Sequence, residues 1–160
     1  MASENRNRAT TYRHTQHAPL CWGLYLLCIP LGLAAWLTRE MPVLQWLFPI
    51  VSLAMLWLAA SFHHLTVEDE GDRVSIRFGP LPTFRRSVRY DQIVNAQIGR
   101  TTVMDGWGIH FSPRGGWVWN LWGRQCVVIQ MRRGTLRVGS DDAERLADFL
   151  QSRCGVNGGR

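Results

Sequence analysis

The chain reads LCWGLYLLCIPLGLAAWLT over residues 20–38 and VLQWLFPIVSLAMLWLAASF over residues 43–62, and these two runs decide its fold. Each run approaches the ~20 apolar residues that a helix needs to cross a hydrocarbon layer of ~30 Å. Only four residues, Arg39-Glu40-Met41-Pro42, connect the runs, so the second helix must turn straight back beside the first. The sequence therefore predicts a two-helix transmembrane hairpin at 20–62.

The composition of the two runs excludes several classes of membrane protein. Neither run contains Asp, Glu, Lys, Arg or His. Charged side chains within the membrane mark transporters, proton relays and intramembrane proteases, and their absence argues against all three. The first run is longer than the apolar region of a signal peptide and follows a mostly polar stretch, so we expect a retained anchor.

The distribution of arginine predicts the orientation. The 18 basic residues are all arginine, and the net charge is +6. Arginine exceeds acidic residues both before residue 20 and after residue 62, whereas the connecting loop is neutral. The positive-inside rule then places both termini in the cytoplasm. We expect a two-pass protein of the bacterial plasma (inner) membrane, with a cytoplasmic tail at 1–19, a cytoplasmic domain at 63–154 and a flexible tail at 155–160.

The region after residue 64 predicts short strands and then one helix. Residues 73–78 alternate between polar and apolar side chains, as in a strand with one buried face. Similar short segments recur until residue 138. Asp141 is then a plausible N-cap of a helix, with Glu144 at the capping-box position and an apolar stripe through Leu146, Phe149 and Leu150. The predicted class is α+β, with about seven antiparallel strands forming a barrel that the C-terminal helix closes.

A family resemblance agrees with this outline. The segments GWGIHF (106–111), GWVWN (116–120), VVIQM (127–131) and VGSDD (138–142) resemble those of bacterial pleckstrin-homology-like (membrane-associated PH) domains. Such domains often accompany paired membrane helices, and the similarity covers about residues 63–152. It implies a PH-like barrel but little about activity, because architecture rather than chemistry defines the family. His110 replaces the arginine that usually follows the GxGI stretch.

The sequence contains no pattern typical of an enzyme, a cofactor site or a metal site. It lacks GxSxG, HExxH and SxxK, and Asp91 and Asp105 are isolated. His63 and His64 lie at the membrane boundary, where we expect them to act as interfacial anchors rather than as a pH sensor or metal pair, because no third ligand is nearby. Four cysteines with no CxxC spacing predict free thiols: Cys21, Cys28, Cys126 and Cys154.

Two groups of side chains are candidates for binding. The first is a basic strand face that would meet anionic lipid headgroups below a bilayer, or would be an ordinary solvated face. It consists of Arg73, Arg77, Arg85, Arg86 and Arg89. The second contains four tryptophans, which would dock into the membrane interface or a partner if exposed, and would be core if buried. These are Trp107, Trp117, Trp119 and Trp122.

These features predict a non-enzymatic membrane protein whose cytoplasmic domain recruits or scaffolds another membrane or membrane-associated protein. The alternative is a sensor of anionic lipid that uses the basic strand face. Membrane lipids are expected partners in either case. Nucleic acid is not expected, because the net charge of the domain is modest and a membrane tether restricts access.

Overall fold

The computed structural model describes residues 11–81, 83–102, 106–113 and 115–157. Of the sequence predictions, Asp105 and the ends of both tails, 1–10 and 158–160, lie outside these ranges. Within them the chain forms three helices and nine strands. The helices are α1 (Leu20–Leu37), α2 (Pro42–Ser61) and α3 (Ala143–Asn157). The strands are β1 (Arg13–His17), β2 (His64–Asp69), β3 (Arg73–Phe78), β4 (Arg85–Arg89), β5 (Ile93–Arg100), β6 (Gly108–Phe111), β7 (Trp117–Asn120), β8 (Gln125–Met131) and β9 (Thr135–Gly139).

The strands form two sheets, which confirms the α+β class and corrects the predicted barrel. One sheet has the order β1-β2-β3-β4, and the other has the order β5-β8-β9-β7-β6. The described strands therefore form a four-stranded and a five-stranded sheet rather than one closed barrel of about seven strands. The pairing of β7 with β9 is parallel, against the expectation of a wholly antiparallel domain. The strand β9 follows β8 through a turn and lies between β8 and β7. It is antiparallel to β8 and parallel to β7.

The strand β1 lies where the sequence predicted only a tail. It pairs antiparallel with β2, with Arg13 opposite Glu68 and His17 opposite His64. Its sequence, RHTQH, has no apolar alternation, so periodicity gives no sign of a strand. The chain thus begins the four-stranded sheet, leaves it through α1 and α2, and returns beside its own first strand.

The helices α1 and α2, called the helical pair below, pack against each other. By length and composition, α2 is able to cross a membrane, whereas the described part of α1, Cys21–Leu37, is a shorter apolar helix. Both helices expose large apolar side chains to their surroundings, and exposed apolar surface of this extent marks a site of contact with lipid or with another protein. Among these are Trp22, Leu26, Ile29, Leu33, Val43, Trp46, Ile50 and Leu53.

The helix α3 packs on β5 and β8 and buries its apolar stripe as predicted. Leu146 and Leu150 are fully buried, and Phe149 is 8% exposed. The predicted cap is wrong, because the helix begins at Ala143 and the Leu146 backbone N–H donates to the Asp142 carbonyl. The Asp141 carboxylate instead bonds His14 of β1, at 2.5 Å from its Nε2.

A buried polar cluster also fastens α3 to the four-stranded sheet. The Asp69 side chain is 4% exposed and accepts hydrogen bonds from the Tyr90 hydroxyl and from Arg153 Nη2, each at 2.7 Å. The guanidinium of Arg153 lies over the rings of Tyr90 and Phe149. Burial, followed by the bond to Asp69, raises the pKa of Tyr90 and keeps its proton in place. The cluster joins β2, the turn after β4 and α3.

The four-stranded sheet abuts the end of α2 at Gly79. This residue has a φ of +58°, and a Cβ there would lie 2.5 Å from the carbonyl oxygens of Ala60 and Ser61. Glycine is needed on both counts, because a side chain would strain the left-handed backbone and collide with the helix end. Beside this contact, the Phe62 ring packs on Phe78 at 5.1 Å and on Phe84 at 5.5 Å between ring centroids.

We expect Gly79→Ala to destabilise the protein clearly more than Gly71→Ala. Gly71 also has positive φ, +91°, but a Cβ there would meet nothing within 4 Å. The control should therefore lose only the backbone term of about 1 kcal/mol, whereas overpacking at Gly79 adds about 1–3 kcal/mol. Thermal unfolding of the full-length protein in detergent, followed by circular dichroism, measures the difference. Equal melting temperatures of the two variants would show that the sheet does not press on α2.

Candidate functional site

The predicted basic strand face is mostly neutralised in the structure. The pairing of β3 with β4 places Arg73 opposite Arg89, and Arg77 opposite Arg85. Each of these four arginines has an acidic partner: Arg73–Asp72 at 2.8 Å, Arg77–Glu68 at 2.5 Å, Arg85–Glu70 at 2.6 Å and Arg89–Asp91 at 3.1 Å. Exposed ion pairs of this kind contribute little stability, but a lipid phosphate would have to compete with each carboxylate.

Arg86 differs from the other four arginines. It lies opposite Ile76, on the same side of β4 as the buried Val88, and so points away from Arg85. It is half-buried, burial lowers its pKa, and it forms no ion pair with any acidic residue that the structure describes. Arg86 is two residues from Phe84, which contacts α2. The five arginines therefore do not form one continuous binding face.

The four predicted tryptophans occupy three different environments. Trp119 is 7% exposed and packs against Phe78 in the core. Trp107 is half-exposed and stacks on Trp122, with 4.4 Å between ring centroids. Trp117 is 43% exposed and meets the exposed ring of Phe111 edge-to-face. Trp117 and Trp119 share one face of β7, but Phe78 covers Trp119 and not Trp117, so the four tryptophans do not form one exposed surface.

The Trp107–Trp122 stack lies next to the base of the helical pair, where α1 begins and α2 ends. A largely apolar cavity of about 230 Å³ separates the helices from the five-stranded sheet at this level. Its lining consists of Ala18, Cys21, Leu24, Leu58, Phe62, Trp107, Gly108 and Leu121. Trp117 and Phe111 lie at the opposite end of the β6–β7 ladder, about 10 Å along the strands from the Gly108–Asn120 pair at ~3.3 Å per strand residue.

Asn120 holds the loops that carry the stacked tryptophans. It is fully buried, and its Nδ2 donates to the Gly123 carbonyl at 3.1 Å and the Gly106 carbonyl at 3.4 Å. Gly139 allows this position, because a Cβ there would overlap the Asn120 side chain. The residue before Trp107 and the residue after Trp122 are thus tied to one amide group.

Three histidines converge at the same base of the helical pair. His17 ends β1, His63 follows α2 and His64 begins β2. Their ring centroids are 5.7–5.9 Å apart, and one possible ligand nitrogen from each lies within 4.8 Å of the other two. Burial, with His63, His17 and Arg77 nearby, lowers the pKa of His64. The prediction that His63 and His64 lack a third ligand nearby is wrong, because the β1–β2 register brings His17 opposite His64.

The remaining candidates are less informative. His110 is half-buried in β6, and its Nε2 has no hydrogen-bond partner among the described residues. The four cysteines are free, as predicted. Cys21 and Cys126 are buried, and burial raises the pKa of the Cys154 thiol.

No known family model matches the chain, and no curated protein matches it. The resemblance to bacterial PH-like domains therefore stays a prediction.

We expect Asn120→Ala to destabilise the protein and to disorder the Trp107–Trp122 stack. The substitution removes two hydrogen bonds to partly buried backbone carbonyls, at a cost of about 1–3 kcal/mol. The exciton-coupled circular dichroism of stacked indoles reports on the stack, and thermal unfolding reports on stability. Asn95→Ala, at an exposed position of β5, is the matched control. An Asn120→Ala protein with the normal exciton signal and melting temperature would contradict this role.

Proposed function

We propose that this chain is a two-pass inner-membrane protein whose α+β domain recruits a protein partner to the cytoplasmic membrane surface. The observation that carries the proposal is the pairing of β1 with β2 around the helical pair. It ties the domain to the start of α1 and to the end of α2, which supports a domain held directly at the membrane.

This pairing and the length of α2 support the proposed two-pass topology. At about 1.5 Å per residue, the 18 residues of α1 and the 20 residues of α2 extend about 27 and 30 Å. If α2 crosses a ~30 Å hydrocarbon layer, the chain before it must cross as well, because β1 lies beside β2. The length of α1 is within the range that a spanning helix requires.

The exposed aromatic pair Phe111 and Trp117, called the distal aromatic pair, is the best candidate for a protein contact. Phe111 lies on β6, the outer strand of the five-stranded sheet, which leaves one edge unpaired in the described structure. Exposed edges accept an extended peptide as an added strand, and neighbouring aromatic side chains then supply specificity. We therefore propose an extended segment of a membrane-associated protein as the occupant of this edge.

Contacts with β9 hold the two glycines that precede Trp117. Arg137 Nη1 donates to the Gly115 carbonyl at 2.5 Å, and the backbone at Gly116 approaches Thr135 so closely that it leaves no room for a Cβ. A surface that is already ordered loses little conformational freedom on binding. By contrast, the Trp107–Trp122 stack at the base of the helical pair fits the aromatic belt at a bilayer interface.

The lipid-sensing alternative has less support from the contacts. Four of the five arginines that it requires are engaged with carboxylates, which leaves Arg86 as its main candidate. We also propose that the protein has no enzymatic role, because its candidate arginines and aromatic residues favour binding rather than a reaction.

The topology is tested with single cysteines introduced at exposed positions. We expect Glu40→Cys, in the loop of the helical pair, to react in intact cells with a maleimide that does not cross membranes. Glu144→Cys, at the start of α3, should react only after the membrane is permeabilised, because the domain is cytoplasmic. Both parent residues are exposed, so reactivity reports on the side of the membrane. Reaction of both sites in intact cells would contradict the topology.

The recruitment role is tested by cross-linking in native membranes, followed by purification of the full-length protein and mass spectrometry. We expect one specific protein to be recovered. Its recovery should fall at least about tenfold with Phe111→Ser/Trp117→Ser, as for residues at the centre of an interface. Val94→Ser/Ile98→Ser changes two exposed apolar residues on β5, the opposite edge of the same sheet, and should retain the partner. Equal loss in both variants would contradict the site. Recovery of anionic lipid without protein, abolished by Arg86→Ala, would favour the lipid sensor.

A further inference from the structure

We propose that His17, His63 and His64 form a binding site for a divalent transition-metal ion of the zinc class. The three residues, called the histidine triad, are the only group of three or more His, Cys, Asp or Glu side chains in the described residues that brings its ligand atoms so close together. They come from two points of the chain, His17 at the end of β1 and the adjacent His63 and His64 after α2, so neither helix periodicity nor strand alternation alone accounts for their convergence.

The spacing of the nitrogens suits a metal ion. Zinc binds imidazole at about 2.0–2.1 Å and prefers tetrahedral geometry, which separates its ligand atoms by about 3.4 Å. The Nδ1 atoms of His63 and His64 are already 3.5 Å apart. The remaining separations are no more than 4.8 Å, so side-chain rotations that move a ring by about 1 Å complete the set.

The donor set selects the class of ion. Neutral imidazole nitrogens favour zinc, copper, nickel and related ions, whereas calcium and magnesium require oxygen ligands. Three histidine ligands leave a fourth coordination position, which water can take because the His17 side chain is exposed. The wall of the site on the helix side includes Trp22, whose ring lies 6.4 Å from that of His63.

The surrounding charges do not prevent a cation from binding. Arg77 acts electrostatically on His64, and its charge is balanced by Glu68 at 2.5 Å. His14, on the same strand as His17, is committed elsewhere through its contact with Asp141. The triad therefore consists of imidazoles with no carboxylate of the described structure bound to them.

A metal here would connect the two ends of the helical pair. His17 precedes α1, whereas His63 and His64 follow α2, and an ion bound to all three links the beginning of α1 to the end of α2. Binding to the folded state alone also stabilises that state. The inference goes beyond the recruitment role and does not rest on it, because it concerns the attachment of the domain to its helices.

The test uses zinc alone with the full-length protein, without a His tag, in detergent micelles after treatment with chelator. We expect one Zn²⁺ per chain by calorimetry, a higher melting temperature with zinc, and a tetrahedral visible spectrum with Co²⁺. His17→Ala, at an exposed position, should weaken zinc binding at least about tenfold, since even outer-shell changes commonly cost 10–100-fold. The triple variant His17→Ala/His63→Ala/His64→Ala should bind no stoichiometric zinc.

The matched control is His14→Ala, which removes a histidine from the same strand without touching the triad. It should bind zinc as tightly as the unmodified protein. His17→Gln provides a second variant that keeps a polar side chain at the end of β1, and circular dichroism checks that each variant is folded. Absence of stoichiometric zinc binding in the unmodified protein, or equal binding by the triple variant, would overturn the proposal. Equal weakening by His14→Ala would also overturn it.

Discussion

The backbone pairing of β1 with β2 is the constraint on which the other features of this protein depend. It joins two segments that are separated in the chain by the whole helical pair, with His17 opposite His64 at the helix end of the ladder. Because main-chain hydrogen bonds fix the register to a single residue, the start of α1 and the end of α2 are held side by side. The apolar helices consequently leave and re-enter the same sheet, and the histidines at the junction meet there.

The helical pair and the domain are also connected through a continuous aromatic core. Phe62, one residue beyond α2, packs on Phe78 of β3, and Phe78 in turn packs on Trp119 of β7. This series links the helix end to both sheets without a flexible connection. These packed contacts restrict movement of the domain relative to the helices. A ligand at the base of the helical pair would act on the same contacts.

The arginines and tryptophans show why residue type and strand position did not suffice to define a site. The sequence placed the arginines on neighbouring strands correctly, yet acidic side chains from β2, the β2–β3 turn and the turn after β4 neutralise four of them. Trp117 and Trp119 lie two residues apart on one short strand, and one is 43% exposed whereas the other is 7% exposed. Asp72 and Asp91 are sequence neighbours of the arginines they pair with, whereas the partners of Arg77, Arg85 and Trp119 come from other strands or turns.

The sequence by itself determined the elements whose signals are local. Uninterrupted apolar runs predicted α1 and α2, alternation predicted β3, and the stripe through Leu146 and Leu150 predicted α3, because hydrophobic burial imposes the period of each element on its own residues. Only the tertiary structure decided the course of β1, the two open sheets and the histidine triad. These depend on contacts between segments that are far apart in the chain, and the polar sequence of β1 carries no local signal of its partner.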